Sequence, residues 1–114
     1  MNDKDIVSKD ILKQILMDIA RLLLRLDVDQ AEFLETEHQC VEDRRADLVA
    51  RMTGKAGPFI LHIEIQNDND SGMAWRMLRY RHDIGRAYPN EEVRQILIYI
   101  GRASLSMPES LHQT

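Results

Sequence analysis

The chain has 114 residues, of which 44% are hydrophobic and 30% are charged, so we expect a single domain over residues 1–114 with one compact core. No run approaches the roughly 18 apolar residues of a membrane span, and the acidic start MNDKDIVSKD is unlike a secretory signal. These features predict a cytoplasmic protein with no membrane partner. The net charge of −4 excludes nucleic-acid binding through overall positive charge, although it leaves a local basic surface open.

The first predicted element is an amphipathic helix over DILKQILMDIARLLLRL, residues 10–26. Apolar residues recur there at spacings of three and four, and charged or amide side chains occupy the opposite face. Ser8 is the predicted N-cap, and Asp10 suits the positive end of the helix dipole. We therefore expect this helix to pack on the core.

A β-hairpin is predicted over residues 46–66. The segment RRADLVARM, residues 44–52, alternates in polarity as a strand, and so does FILHIEIQ, residues 59–66. The residues TGKAGP between them carry two glycines and a proline, which is turn chemistry. Upstream, Phe33 and the stretch HQCVE, residues 38–42, allow an earlier strand whose acidity suits an exposed edge.

The second half of the chain predicts a helix and a last strand. NDNDSG breaks the hairpin strand and offers Asp70 or Ser71 as a helix cap. The helix MAWRMLRYRHDIGRAY, residues 73–88, ends before Pro89. The continuous apolar run QILIYI, residues 95–100, is typical of a fully buried strand.

The predicted order is therefore helix, three strands, helix and strand. A strand that follows another through a crossover helix in the same sheet runs parallel to it, with a right-handed connection. This order predicts an α/β fold with a mixed central sheet flanked by helices.

The second helix presents three surfaces. Its core face by spacing is formed by Met73, Met77, Tyr80, Ile84 and Ala87. The opposite apolar stripe is formed by Trp75, Leu78 and His82, and the flank between them by Arg76, Arg79, Asp83 and Arg86. The arginines are either a DNA-backbone surface or a solvated face paired with Asp83. The apolar stripe is either a base-stacking surface or a contact with another subunit.

Two carboxylates stand out because each lies in an otherwise apolar strand. Glu64 shares one face of its strand with His62 and Gln66, and Asp47 lies on the strand that the hairpin makes its neighbour. If the faces match, the carboxylates converge. Their burial is costly unless a cation or an arginine such as Arg45 or Arg51 neutralises them. Oxygen ligands of this kind suit Mg²⁺.

His62 has a functional and a structural interpretation, and Cys40 limits the choice of metal and of compartment. His62 lies on the face of Glu64 and either contacts a phosphate or water, or is a satisfied core residue. Cys40 is the single cysteine, so the chain can form neither an internal disulfide nor a thiolate metal cluster. That disfavours zinc and fits a reducing compartment.

The stretches RRADLVARM, LHIEIQ, WRMLRY and QILIYIG, together with the opening DILKQIL, resemble the PD-(D/E)XK nuclease superfamily. Within it they resemble the transposase-like branch of recombination-promoting nucleases. The resemblance implies a restriction-endonuclease-like αβββαβ core, with the whole chain forming one minimal domain of this kind. It also implies a Mg²⁺-dependent DNA endonuclease, with Mn²⁺ as an alternative ion, that acts as a homodimer.

By this resemblance, Asp47, Glu64 and Gln66 are the catalytic residues. Asp47 and Glu64 would hold the metal ion, and Gln66 stands where many members of the superfamily have lysine. Because an amide carries no positive charge, part of the transition-state stabilisation must come from the ion or from arginine. The remaining candidates are Arg76, Arg79 and Arg86 for DNA binding, Asp10 or Asp18 for completing the metal site, and His62 and Tyr80 as further site residues.

A second hypothesis belongs to another class of function. The same fold can serve as a catalytically inactive DNA-binding or oligomerisation module. The acidic net charge of −4 favours this alternative.

Overall fold

The computed structural model describes residues 3–34, 40–41 and 45–107. Its elements are α1 (Asp3–Leu22), β1 (Val28–Phe33), β2 (Cys40–Val41), β3 (Arg45–Gly54), β4 (Phe59–Gln66), α2 (Met73–Ala87) and β5 (Val93–Tyr99). The protein is thus an α/β structure with one mixed sheet and two helices, as the sequence predicted at this level.

The sheet has the strand order β1-β3-β4-β5, and the two-residue strand β2 also pairs with β3. β3 and β4 form the predicted antiparallel hairpin, in which Gly57 adopts a φ of 92° in the turn. β5 pairs with β4 in parallel, which confirms the direction predicted for a strand reached through a crossover helix. The hairpin therefore forms the centre of the sheet.

The first face of the sheet packs against α1. Strand alternation brings Leu48 and Ala50 of β3 together with Leu61 and Ile63 of β4 on this face. The buried residues of α1 that cover them are Leu16, Met17 and Ala20. The second face carries the polar residues of the hairpin, and a smaller cluster there joins Val49 and Ile60 to Ile84 of α2.

Both ends of α1 differ from the prediction. The helix begins at Asp3, so Ser8 lies within it and is not its N-cap. It ends at Leu22, because Arg25 takes a left-handed φ of 53° and the Leu26 amide donates to the Ala20 carbonyl over 3.0 Å. A left-handed residue shortly after the last turn is a common way for a helix to end. A glycine usually marks such a helix end, and here arginine occupies the left-handed position.

The end of the sheet also differs from the prediction. All residues of β5 are partly exposed, whereas the apolar run predicted a fully buried strand. β5 is the last strand in the sheet order, so β4 covers only one of its sides.

The predicted first strand divides into two short strands. β1 lies at Val28–Phe33, upstream of HQCVE, and of that stretch Cys40–Val41 forms β2. Residues 38–39 and 42 of the stretch lie outside the described residues.

α2 follows the predicted boundaries closely. Its N-cap position is Gly72, not Asp70 or Ser71, although the Asp70 carboxylate accepts a hydrogen bond of 2.9 Å from the Gly72 amide. Its buried residues are Met73, Tyr80 and Ile84, all from the predicted core face. Within the described part of the chain, no helix is long and apolar enough to cross a bilayer.

Candidate metal centre

The hairpin register places the two carboxylates side by side. Asp47 of β3 is the direct partner of Glu64 of β4, so both side chains lie on the face of the sheet that α2 covers. His62, two residues before Glu64, lies on the same face. A donor atom of each of these three residues lies within 4.8 Å of the other two, which is close enough to hold one metal ion.

This cluster is almost fully removed from solvent. Asp47 is 1% exposed, and His62 and Glu64 are 0% exposed. Neither carboxylate oxygen of Glu64 has a hydrogen-bond partner among the described residues, and the same holds for Gln66 Oε1. A buried carboxylate without hydrogen bonds is strongly destabilising. Unpaired hard oxygen donors are therefore available to a cation at this point, and the residues present fit a divalent ion such as Mg²⁺.

Tyr80 covers the cluster from α2. Its hydroxyl donates a hydrogen bond of 2.8 Å to Asp47 Oδ2. Its ring meets the His62 ring edge-on, with centroids 4.8 Å apart and an interplanar angle of 83°. Tyr80 thus orients the Asp47 carboxylate and fixes the plane of the imidazole.

Arg76 is the positive charge of the site. Its guanidinium nitrogens lie 4.0 Å from Asp47 Oδ2, 3.9 Å from Glu64 Oε1 and 3.9 Å from Asp70 Oδ2. The side chain is 25% exposed, so it spans from the buried carboxylates to the surface. At these distances Arg76 neutralises part of the negative charge without making close ion pairs.

His62 is held between the carboxylates and β5. Its Nε2 lies 3.4 Å from Asp47 Oδ1 and 3.8 Å from Glu64 Oε2. On its other side, Nδ1 lies 3.1 Å from Gln95 Nε2. Gln95 is the register partner of His62 in the parallel β4–β5 pair and also donates a hydrogen bond of 2.6 Å to the Met77 carbonyl.

The structure leaves several predicted site residues outside this cluster. Asp10 and Asp18 are exposed on α1, which packs on the opposite face of the sheet, and Asp18 accepts a hydrogen bond from Gln14. Arg79 and Arg86 are exposed on α2, whereas Arg76 reaches the carboxylates. Residues of the apolar stripe on α2 are exposed, with Trp75 at 50% and Leu78 at 47%.

Two residues of the site have roles that sequence reasoning missed. Gln95 carries the only amide side chain in the run QILIYI, and such an isolated amide in an apolar strand was the available signal. Asp70 was predicted only as a helix cap, but its carboxylate also faces Arg76. No sequence pattern indicated that second contact.

Comparisons with protein-family models, with curated proteins and with solved structures found no match to this chain.

Proposed function

We propose that this protein is a Mg²⁺-dependent DNA endonuclease of the PD-(D/E)XK type, from the transposase-like branch of recombination-promoting nucleases, acting in the cytoplasm. The observation that carries the proposal is the direct register pairing of Asp47 with Glu64, whose buried carboxylates share one site. Mg²⁺ is typically held by one or two carboxylates, and its other coordination positions are taken by water and by a phosphate oxygen. Two carboxylates on neighbouring strands fit this pattern.

The arrangement of the sheet supports the same proposal. A helix, an antiparallel hairpin, a crossover helix and a parallel last strand follow one another in the order of a restriction-endonuclease-like core. β2 and β1 pair with successive parts of β3, and we assign the two together to the first strand of that core.

Each residue of the site has a distinct role in the proposed reaction. Asp47 and Glu64 hold Mg²⁺, or Mn²⁺ as an alternative. The bound ion would polarise the phosphodiester and lower the pKa of an attacking water. Gln66 is 7% exposed and has an unpaired Oε1, which can accept a hydrogen bond from that water.

Arg76 supplies the positive charge that the Gln66 amide lacks. It already contacts the carboxylate cluster and reaches the surface, where a guanidinium can pair with a phosphate. Arg79 and Arg86, exposed on the same helix, extend this basic surface along the DNA backbone. The exposed Trp75 and Leu78 are the surface that we assign to the contact between the two subunits of a homodimer.

Metal binding and cleavage test the proposal together. Calorimetric titration with Mg²⁺ or Mn²⁺ should show one carboxylate-dependent site in the wild-type protein and none in Asp47→Asn, and only the wild-type protein should nick plasmid DNA. The matched control is Asp18→Asn, the same change at an exposed position outside the cluster. Retained cleavage by Asp47→Asn would refute the assignment.

One observation favours the alternative of a catalytically inactive DNA-binding or oligomerisation module. Tyr80 and Arg76 cover carboxylates that are at most 1% exposed, so the cluster can be a closed, internally neutralised structural site. In that case the wild-type protein binds DNA or self-associates, but calorimetry detects no divalent ion and plasmid DNA stays intact.

A further inference from the structure

Gln95 reaches the carboxylate site through His62. Its Nε2 donates to the Met77 carbonyl of α2 over 2.6 Å and lies 3.1 Å from His62 Nδ1. The parallel register of β4 and β5 places the two side chains side by side on the sheet. Gln95 therefore connects α2 to the imidazole.

These two contacts determine which atom of the Gln95 amide faces the ring. A backbone carbonyl only accepts hydrogen bonds, so the group beside the Met77 oxygen must be the amide NH₂. That group carries two hydrogens and accepts none. Its second hydrogen is directed to His62 Nδ1, which must act as the acceptor.

An imidazole that accepts at Nδ1 carries its hydrogen on Nε2. In this structure Nε2 faces Asp47 Oδ1 at 3.4 Å and Glu64 Oε2 at 3.8 Å. A nitrogen that carries a hydrogen has no lone pair for a metal ion. We infer that Gln95 is a positioning residue that holds His62 as a hydrogen-bond donor to Asp47, and so keeps the imidazole out of the metal coordination shell.

A His62 that carries its hydrogen on Nε2 affects which metal ion the site can bind. Without His62, the ligands from this cluster are the oxygens of Asp47 and Glu64, and oxygen ligands suit Mg²⁺ and Mn²⁺, whereas an imidazole ligand would favour Zn²⁺. Gln95 is in this sense a specificity-determining residue. This consequence rests on the proposed function, but the position of the hydrogen on His62 does not.

The hydrogen position can be measured directly in the metal-free protein. Long-range ¹H–¹⁵N correlation spectra at pH about 8, where an ordinary histidine is neutral, distinguish the two ring nitrogens of each of the four histidines. The His62 signals are those missing from the spectrum of His62→Gln. We expect hydrogen on Nε2 and none on Nδ1. A hydrogen on Nδ1, or on both nitrogens, overturns the inference.

Zn²⁺ and Mg²⁺ titrations then test the role of Gln95. Gln95→Met keeps the length of the side chain but removes the donor, so His62 can move its hydrogen to Nδ1 and bind Zn²⁺ through Nε2. We expect Zn²⁺ to bind about 10–100-fold more tightly, with Mg²⁺ affinity unchanged. Gln30→Met, at an exposed position of β1, is the matched control. Equal Zn²⁺ affinity in all three proteins overturns the role of Gln95.

The spectra and the metal titrations distinguish a failure of this inference from a failure of the proposed function. If Gln95→Met does not fold, the spectrum of the wild-type protein still shows which ring nitrogen of His62 carries the hydrogen. Loss of the Nε2 hydrogen when Mg²⁺ binds the wild-type protein would overturn the inference. A wild-type protein with hydrogen on Nε2 that binds no metal supports the inference and contradicts the proposed nuclease.

Discussion

Glu64 is a buried carboxylate whose loss of hydration is not offset by hydrogen bonds from the described residues. It is 0% exposed, and neither of its oxygens accepts a hydrogen bond from a described residue. Because Asp47 is its direct strand partner, two like charges also oppose each other. Such a residue is expected where the charge serves binding and the fold alone does not need it.

We therefore predict that Glu64→Gln stabilises the metal-free protein. Removing the buried charge should raise the free energy of unfolding in EDTA by about 1–2 kcal/mol, as measured by urea denaturation. Excess Mg²⁺ should stabilise the wild-type protein, by about 2.7 kcal/mol at a hundred times the Kd, but not the variant. Glu32→Gln, whose side chain is 72% exposed, is the control and should change little. A destabilised Glu64→Gln protein would show that Arg76 and Glu64 form a structural ion pair.

Arg76 is predicted to have the opposite effect. Arg76→Met removes a guanidinium that lies about 4 Å from both Asp47 and Glu64, so the metal-free protein should lose about 1–3 kcal/mol. Mg²⁺ should restore much of this loss, because a bound ion replaces the missing positive charge. Arg79→Met, at an exposed position one turn later on α2, should leave stability within about 0.5 kcal/mol of wild type. Equal effects of both changes, measured by denaturation with and without Mg²⁺, would contradict the role of Arg76.

The two carboxylates of the site could be predicted from the sequence, but the residues that contact them could not. Alternation with a period of two placed Asp47 and Glu64 on the face opposite the apolar core, and the hairpin turn made their strands adjacent. The contacts of Tyr80, Arg76 and Gln95 depend instead on how α2 is rotated above the sheet and on the β4–β5 register. Both are set by packing between residues far apart in the chain, which no local pattern encodes.

At the scale of elements, two glycines differ in backbone conformation: Gly57 has a positive φ and Gly85 is helical. Gly57 in the β3–β4 turn has a φ of 92°, where a side chain is strained although no atom lies within 4 Å of an added Cβ. Gly85 lies inside α2 with equally open surroundings but an ordinary helical backbone. The space is alike, so the backbone conformation decides the effect of substitution.

We predict that Gly57→Ala destabilises the protein by about 1–2 kcal/mol. Gly85→Ala should instead stabilise it by up to about 1 kcal/mol, because alanine is the better helix former. Thermal unfolding of both variants measures the difference. A stabilised Gly57→Ala protein would contradict the left-handed turn on which the register of Asp47 and Glu64 depends.

The element boundaries show where local sequence signals end. The hairpin strand β4 and the helix α2 could be predicted nearly to the residue, because alternation, helical spacing and turn residues all agree there. α1 ends early, at Leu22, and the left-handed residue that follows it is Arg25 and not the glycine that would have indicated the end. β5 is half-buried because it is the last strand in the sheet order, and its sequence did not indicate this because an apolar run is the same for an edge strand and a central one.

At the scale of the whole molecule, an ion pair connects parts that are distant in sequence. Arg51 of β3 donates two hydrogen bonds of 2.7 Å to the Glu91 carboxylate, which lies between α2 and β5, and it stacks 5.5 Å from the centre of the Tyr88 ring. The hydrogen bonds from Arg51 hold the pKa of Glu91 below its ordinary value of about 4.5, although burial acts in the opposite direction. The pair thus links the end of the crossover to the hairpin.

This shift predicts a dependence of stability on pH. Because the pKa of Glu91 is lower in the folded state than in the unfolded state, its contribution is fully present above about pH 4.5 and is lost as the pH falls through the folded pKa. Glu91→Gln should therefore lower Tm at neutral pH and show a weaker fall of Tm in acid than the wild-type protein. Glu92→Gln is the neighbouring control, since Glu92 is exposed and pairs locally with Arg94. Parallel Tm curves for wild type and Glu91→Gln would contradict the prediction.

The pairing of Asp47 with Glu64 also bears on how fast the chain folds. The hairpin is local in sequence, whereas Arg76 and Tyr80 reach the carboxylates only when the crossover helix docks. If the hairpin forms first, its two like charges repel each other in the transition state before Arg76 arrives. Stopped-flow refolding of Glu64→Gln should then be faster, by about fivefold for each kcal/mol of repulsion relieved, and divalent ions should accelerate the wild-type chain. If Glu64→Gln refolds at the wild-type rate but unfolds more slowly, the two carboxylates come together only after the rate-limiting step of folding.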